Sequence, residues 1–178
     1  MRIDSALYHG NSGGGLFNTS GELIGITNAG DEEDQNINYA IPVSVARGAA
    51  ENIIAYDKDG DDSTAGVYRP TLGVTVNIES SKYVYDEESG TGSILETVVV
   101  SEIAESSIGS QMGLAAGDVL VSFVVNGTAY SVSRSFEVND LLLTVRAGDA
   151  VSFTVERGGE TVECTAYTLT ASDFSAVE

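Results

Sequence analysis

The sequence predicts a mainly β protein, and three observations carry that expectation. Short runs alternate between apolar and polar residues, as in Glu22 to Asn28 and Thr161 to Tyr167. Glycine, proline, asparagine and aspartate break these runs at close intervals. Helical spacing of apolar residues is confined to three patches, Ser44 to Tyr56, Ser107 to Gly113 and Ser135 to Val145.

The bulk numbers set further bounds. A chain of 178 residues suffices for one domain, or for a domain with part of another. Eight Lys plus Arg against 27 Asp plus Glu give a net charge of −19. Such a surface repels phosphate backbones and anionic lipid heads, so nucleic-acid binding is not expected. Cys164 is the only cysteine, which excludes an internal disulfide, and its alternating context reads as a small strand residue rather than a reactive thiol. Neither a signal peptide nor a membrane span is visible.

Taken in order, Glu22 to Asn28 reads as a strand, and Ile37 to Ile41 as a second one ended by Pro42. Asp31 to Asp34 between them is a polar loop. The helix over Ser44 to Tyr56 places Val45, Ala49 and Ile53 beside Ala46, Ala50 and Ile54, with Ser44 as its cap. Asp57 to Ser63 then reads as a solvated acidic linker. Its alternate aspartates invite a calcium reading, but glycine stands at the fourth place rather than the sixth, and Tyr68 occupies the twelfth instead of glutamate. No metal or other cofactor is expected. Beyond the linker, Thr71 to Ile78, Leu95 to Val100, Val119 to Val125, Val151 to Glu156 and about Thr161 to Leu169 read as strands. The patch from Ser135 carries an apolar side of Phe136, Val138, Leu141, Leu142, Leu143 and Val145.

Two motifs carry chemistry. The first is Gly10-Asn11-Ser12-Gly13-Gly14, a serine tightly flanked by glycines, which lets backbone approach a substrate closely. With its continuation from Gly15 to Ile26, and Asn38 to Val43 further on, it resembles the active-site serine region of trypsin-like proteases of the HtrA (Deg) group. The second is the block from Thr71-Leu72-Gly73-Val74 through Ser106 to Leu120, with Asn126-Gly127 and Arg146 to Asp149 following. That block resembles a bacterial protease-associated PDZ domain. Departures are His9 and Gly15, where the protease group has proline, and Ile108, where the PDZ run has proline.

The resemblance implies a partial trypsin-like β-barrel segment over 1–56, an acidic linker over 57–68, a PDZ domain with two helices over 69–171, and a tail over 172–178. It implies Ser12 as nucleophile and the N–H groups of Gly10 and Ser12 as an oxyanion hole. Each such donor is worth about 10²–10³ in rate. Ile26, Thr27, Asn28, Tyr39 and Ala40 would wall a small, apolar specificity pocket. In the PDZ domain Thr71, Leu72, Gly73 and Val74 would capture a peptide carboxylate, opposite Val138 and Leu142. Partners would be protein or peptide substrates and C-terminal peptides, in a bacterial cell envelope.

Ser12 stands so early that the upstream histidine and aspartate of the chymotrypsin order have no room before it. His9 is the only histidine, and three residues from Ser12 on one loop it is poorly placed as the base. The chain alone is therefore expected to be inactive. The alternative is a stand-alone PDZ peptide binder with a vestigial protease segment. A partial barrel would also leave unpaired strand edges, open to a second copy of the chain.

Overall fold

The computed structural model describes residues 1–3, 5–8, 10–30, 38–56, 66–88 and 90–177. The chain divides into two compact units, Met1–Val67 and Tyr68–Glu178. Both are built mainly of strands, as the alternation predicts. Among the described residues no helix is long and apolar enough to cross a membrane.

The first unit contains β1 (Arg2–Ile3), β2 (Gly15–Phe17), β3 (Leu23–Gly30), β4 (Asn38–Pro42) and α1 (Val43–Tyr56). Its strands form one antiparallel sheet in the order β1-β4-β3-β2. Asn18 builds the β2–β3 turn, its Oδ1 accepting from the N–H groups of Ser20 at 2.9 Å and Glu22 at 3.0 Å. The acidic stretches Asp31–Asp34 and Asp57–Asp62, with His9, lie outside the described residues.

Helix α1 has the expected extent, and Val45 and Ala49 turn inward as expected while Ile53 and Ile54 do not. It packs against β3 and β4 with Gly48 and Asn52 buried, while Ile54 is 77 % exposed. The inner stripe runs through Val45, Gly48, Ala49 and Asn52, whose small side chains let the helix approach the sheet. Ile53 and Ile54 fall beside that stripe, because a helix cannot turn two adjacent residues to the same line.

The second unit runs β5 (Tyr68–Pro70), β6 (Val74–Asp86), β7 (Thr91–Ile103), α2 (Ile108–Gln111), β8 (Val119–Val125), β9 (Thr128–Ser131), α3 (Glu137–Leu142), β10 (Ala150–Arg157), β11 (Glu160–Glu163), β12 (Tyr167–Thr168) and β13 (Phe174–Ala176). The principal sheet has the order β11-β10-β8-β7-β6, with β9 on β8 and β12 on β10, and β13 pairs with β5. The β8–β9 hairpin turns at Asn126 and Gly127, both at positive φ (49° and 81°). That is the backbone a type I′ turn demands.

Several elements depart from the sequence reading. Strands β6 and β7 extend well past the expected runs, and the register shifts between Ile78 and Ser80, where the alternation changes phase. The expected last strand splits into β11 and β12. Between them Cys164 still donates its N–H to Phe153 O of β10 at 2.8 Å, but Thr165 donates to Met112 O at 2.9 Å and draws the chain off the ladder. Helix α3 is shorter than its apolar patch. Residues 172–178, read as a tail, include β13.

A single apolar cluster fills this unit, with Val98, Val100, Phe123, Val151, Phe153 and Val155 at its centre. The rings of Phe123 and Phe153 lie 4.9 Å apart at a tilt of 46°. Two Ala-Gly-Asp turns frame it alike, each aspartate accepting from the N–H three residues back: Asp118 from Ala115 at 2.8 Å, Asp149 from Arg146 at 2.7 Å. Asp118 is buried and also receives Arg157, with Nε at 2.6 Å from Oδ1 and a second nitrogen at 2.7 Å from Oδ2. Those guanidinium hydrogen bonds hold the Asp118 carboxyl below the usual range, against a burial cost in the opposite direction. Burial pushes the Cys164 thiol up, with Asp118 adding to the effect. A raised thiol pKa suits an inert cysteine.

Candidate functional site

The groove of the second unit is built on an edge strand. β6 ends the principal sheet, so its outer side is open to pairing, and α3 stands across from it. Between them lies a cavity of about 630 Å³, lined in part by Leu72, Val74, Val76, Leu120, Val138 and Leu142. Every residue expected to bind a peptide in this unit, Thr71, Leu72, Gly73, Val74, Val138 and Leu142, lines that cavity. Leu142 does so from the core, being only 4 % exposed, and so serves packing as well as the groove floor.

The head of β6 is shaped by its carbonyls. Leu72 O accepts from Gly109 N–H, and Gly73 O accepts from Ala104 N–H, both at 2.8 Å. With the carbonyls so committed, the N–H groups of Leu72 and Gly73 meet no acceptor among the described residues. Gly73 has φ +67°, and a Cβ there would lie 2.4 Å from the Cβ of Ser107. Only glycine fits this turn on both counts. Ser107 in turn caps α2, its Oγ accepting from Ser110 N–H at 3.2 Å.

Sequence reasoning missed other lining residues, chiefly Val76, Phe153 and Arg69. Val76 could have been read from its alternation with Val74. Arg69 is the only cation in the lining, at the end where Thr71 to Val74 sit. At the other end Glu96 accepts from Ser135 N–H at 2.8 Å and meets Arg134 Nε at 3.1 Å. The Ser135 N–H bond leads in holding its carboxyl below the usual range. Glu137 accepts from the N–H groups of Ser133 at 2.7 Å and Arg134 at 3.0 Å, so α3 starts from a fixed loop.

In the first unit, Ser12 is exposed on a loop hooked to β3. Gly13 donates to Thr27 O at 2.8 Å, and Thr27 returns its N–H to Gly14 O at 2.9 Å. The Thr27 hydroxyl bonds Asn11 O, and lies 3.0 Å from Gly14 O. Asn11 N–H closes on Tyr8 O at 3.0 Å. The N–H groups of Gly10 and Ser12, and the Ser12 hydroxyl, have no partner among the described residues.

The five residues expected to wall one pocket are divided by the pleat. Thr27 and Ala40 are cross-strand neighbours, both buried, on the face that carries the serine loop. Ile26 pairs with Ile41 on the opposite face, which Tyr39 shares, and Asn28 sits exposed at the bulge between Thr27 and Ala29. Thr27 is thus tied up as a latch for the loop.

Residues 70–167 match the family model described as PDZ domain, and residues 3–49 match that described as Trypsin. The chain is 31 % identical over 165 residues to the putative serine protease HhoB of Synechocystis sp., covering 89 % of this chain and 36 % of that protein. It is 30 % identical to the periplasmic pH-dependent serine endoprotease DegQ of Escherichia coli, covering 99 % and 36 %. A solved structure, the HtrA-type protease AlgW with tripeptide, superposes with a TM-score of 0.58 at 28 % identity, covering 94 % of this chain and 52 % of that one.

Fold and groove thus define a PDZ-bearing protein with a trypsin-like segment ahead of the PDZ domain. The chain belongs to the HtrA-like group of trypsin-fold serine proteases. It spans about a third of the length of the curated relatives it matches, 36 % for the first and 34 % for the serine protease Do-like HtrA of Bacillus subtilis.

Proposed function

We propose that this chain supplies the nucleophile loop and the peptide-binding PDZ domain of an HtrA-like serine endopeptidase. The observation that carries the reading is the pair of uncommitted N–H groups at Leu72 and Gly73, heading an open edge strand. A peptide C-terminus adds to β6 as a further antiparallel strand, and its carboxylate accepts from those two groups, with Arg69 adding positive charge. Its last side chain enters the apolar cavity between Val74, Val138 and Leu142. A small or medium aliphatic residue at the C-terminus fits that lining.

In the proposed parent enzyme Ser12 attacks the scissile carbonyl, and the N–H groups of Gly10 and Ser12 receive the oxyanion. The Thr27 latch fixes the loop in that form. A serine without a general base loses several orders of magnitude in rate, so the activity requires a histidine and an orienting aspartate beyond those of this sequence. Relatives whose names place them in the periplasm suggest an envelope setting for the parent.

Two measurements test the reading. Calorimetric titration of the chain with a peptide ending in a free valine carboxylate gives saturable binding with a negative heat-capacity change. Absence of binding to apolar-ended peptides overturns the groove. A fluorophosphonate probe labels Ser12 in the parent protein and leaves the isolated chain unlabelled; a parent unlabelled at Ser12 overturns the protease half.

A further inference from the structure

Strand β6 does not stop where the groove stops. It runs 13 residues, from Val74 to Asp86, which at 3.3 Å per residue is about 43 Å of edge. Helix α3 spans six residues, so it faces only the first part of that length.

The pairing shows which side chains continue the groove face. Val76 lies opposite Val100 and Ile78 opposite Val98, and both partners are core residues. Beyond the register shift, Ser81 lies opposite Glu96, Tyr83 opposite Ile94 and Tyr85 opposite Gly92. Residues 100, 98, 96, 94 and 92 alternate along one strand and therefore share one face. The face that forms the core beneath α3 thus runs on along the β6–β7 arm, uncovered among the described residues. Ile78, Tyr83, Tyr85 and Ile94 are 50 %, 67 %, 56 % and 44 % exposed. Tyr83 folds over Gly92, where a Cβ would lie 1.9 Å from its hydroxyl. At the junction Glu96 holds Ser135 N–H, and the Arg134 guanidinium lies 5.1 Å from the Phe136 ring centroid.

The geometry points to an extended ligand site: the β6–β7 arm receives the part of a bound polypeptide that lies upstream of its C-terminal residues. This rests on the groove reading above. A ligand with its carboxylate at Leu72 and Gly73 runs antiparallel to β6, so its upstream residues are carried toward Asp86. The register shift at Ile78 to Ser80 ends regular strand pairing there, and past it contact is made by the Tyr83, Tyr85 and Ile94 side chains. Glu79, Asp86, Glu87 and Glu88 against Lys82 make the arm acidic. The matching ligand is an extended chain with an apolar C-terminus, alternating apolar or aromatic residues upstream, and a basic residue near the arm's tip. A long exposed tail of a protein meets that description, and a short free peptide does not.

The test titrates the full chain, by fluorescence anisotropy, with two peptides sharing one valine-ended C-terminus, of about five and about twelve residues. The longer carries two tyrosines and a lysine upstream. It is expected to bind about tenfold more tightly, equivalent to 1.4 kcal/mol. Tyr83→Ser with Tyr85→Ser is expected to remove that advantage while leaving the short peptide's affinity unchanged, which also reports that the variant is folded. Equal affinity of the two peptides, or an advantage that survives the double substitution, overturns the arm alone. Absence of binding by either peptide overturns the groove and the arm together. A dimer that the double substitution dissolves, with equal peptide affinities, assigns the arm to self-association and overturns the proposal.

Discussion

The two units differ in what holds them together. In the second, a continuous apolar cluster reaches from Leu72 to Leu169 and includes two phenylalanines in tilted contact. In the first, Ala40 is the only apolar side chain that is buried among the described residues, and the interior positions are taken by Thr27, Asn38 and Asn52. Tyr8, Phe17, Leu23 and Ile54 are exposed there. A sheet and a helix that meet through small and polar residues bury little apolar area, and burial is the dominant favourable term in folding. The contrast teaches that the PDZ unit carries its own stability, whereas the serine loop is held by local hydrogen bonds.

The sharpest way to break that contrast is Phe123→Ala. Deleting a fully buried ring costs about 3–5 kcal/mol, and the loss should appear in urea unfolding followed by circular dichroism. Ile54→Ser, by contrast, should stay within about 0.5 kcal/mol of the unaltered chain. Comparable losses at both positions would put the first unit's core where the structure has none.

Asp118→Ala ranks next. It leaves Ala115 N–H without its acceptor and the Arg157 guanidinium with Gly113 O alone, and Arg157 remains partly in water. A loss of about 2–3 kcal/mol is expected in the same unfolding assay. The pH dependence follows from the lowered carboxyl. Because the folded pKa lies below the unfolded one, the contribution is complete above the unfolded value of about 3.9 and fades as pH falls further through the folded one. The urea midpoint should therefore drop below about pH 4, less steeply in the Asp118→Ala variant.

Gly73→Ala acts on binding as well as on stability. A side chain at φ +67° against Ser107 costs about 1–3 kcal/mol of strain. It turns the Leu72 and Gly73 N–H groups out of line, and titration should show peptide affinity falling at least about tenfold. The smallest effect belongs to Ser12→Ala. With the hydroxyl exposed and unpartnered among the described residues, stability should move by less than about 0.5 kcal/mol and peptide binding not at all.

Legibility in the sequence followed the same division. Thr71 to Val74, Val138 and Leu142 could be placed together only through the resemblance of the flanking motifs to a PDZ domain, and the structure brings all of them to one cavity. The arm was hidden, because Glu79 to Lys82 carries no apolar residue and the register shift at Ile78 reverses the alternation just where the strand continues. Helix α1 misled for a different reason. Val45 and Ala49 of the expected apolar set do lie on the stripe that packs, but large Ile53 and Ile54 do not, and Gly48 and Asn52 complete it instead. In the serine loop the motif itself was legible. The latch was not, since Thr27 joins Asn11 and Gly14 only once the hairpin is folded.

Carboxylate capture at the head of β6 is the step on which peptide binding depends. An amide-resolved NMR titration of the chain, with one apolar-ended peptide as its free acid and as its C-terminal amide, tests this most directly. The prediction is that the acid shifts the Leu72, Gly73 and Val74 amides and the Val138 and Leu142 methyls, and that the amide form at equal concentration does not. Equal shifts from both forms, or shifts that leave Leu72 and Gly73 unmoved, would contradict it.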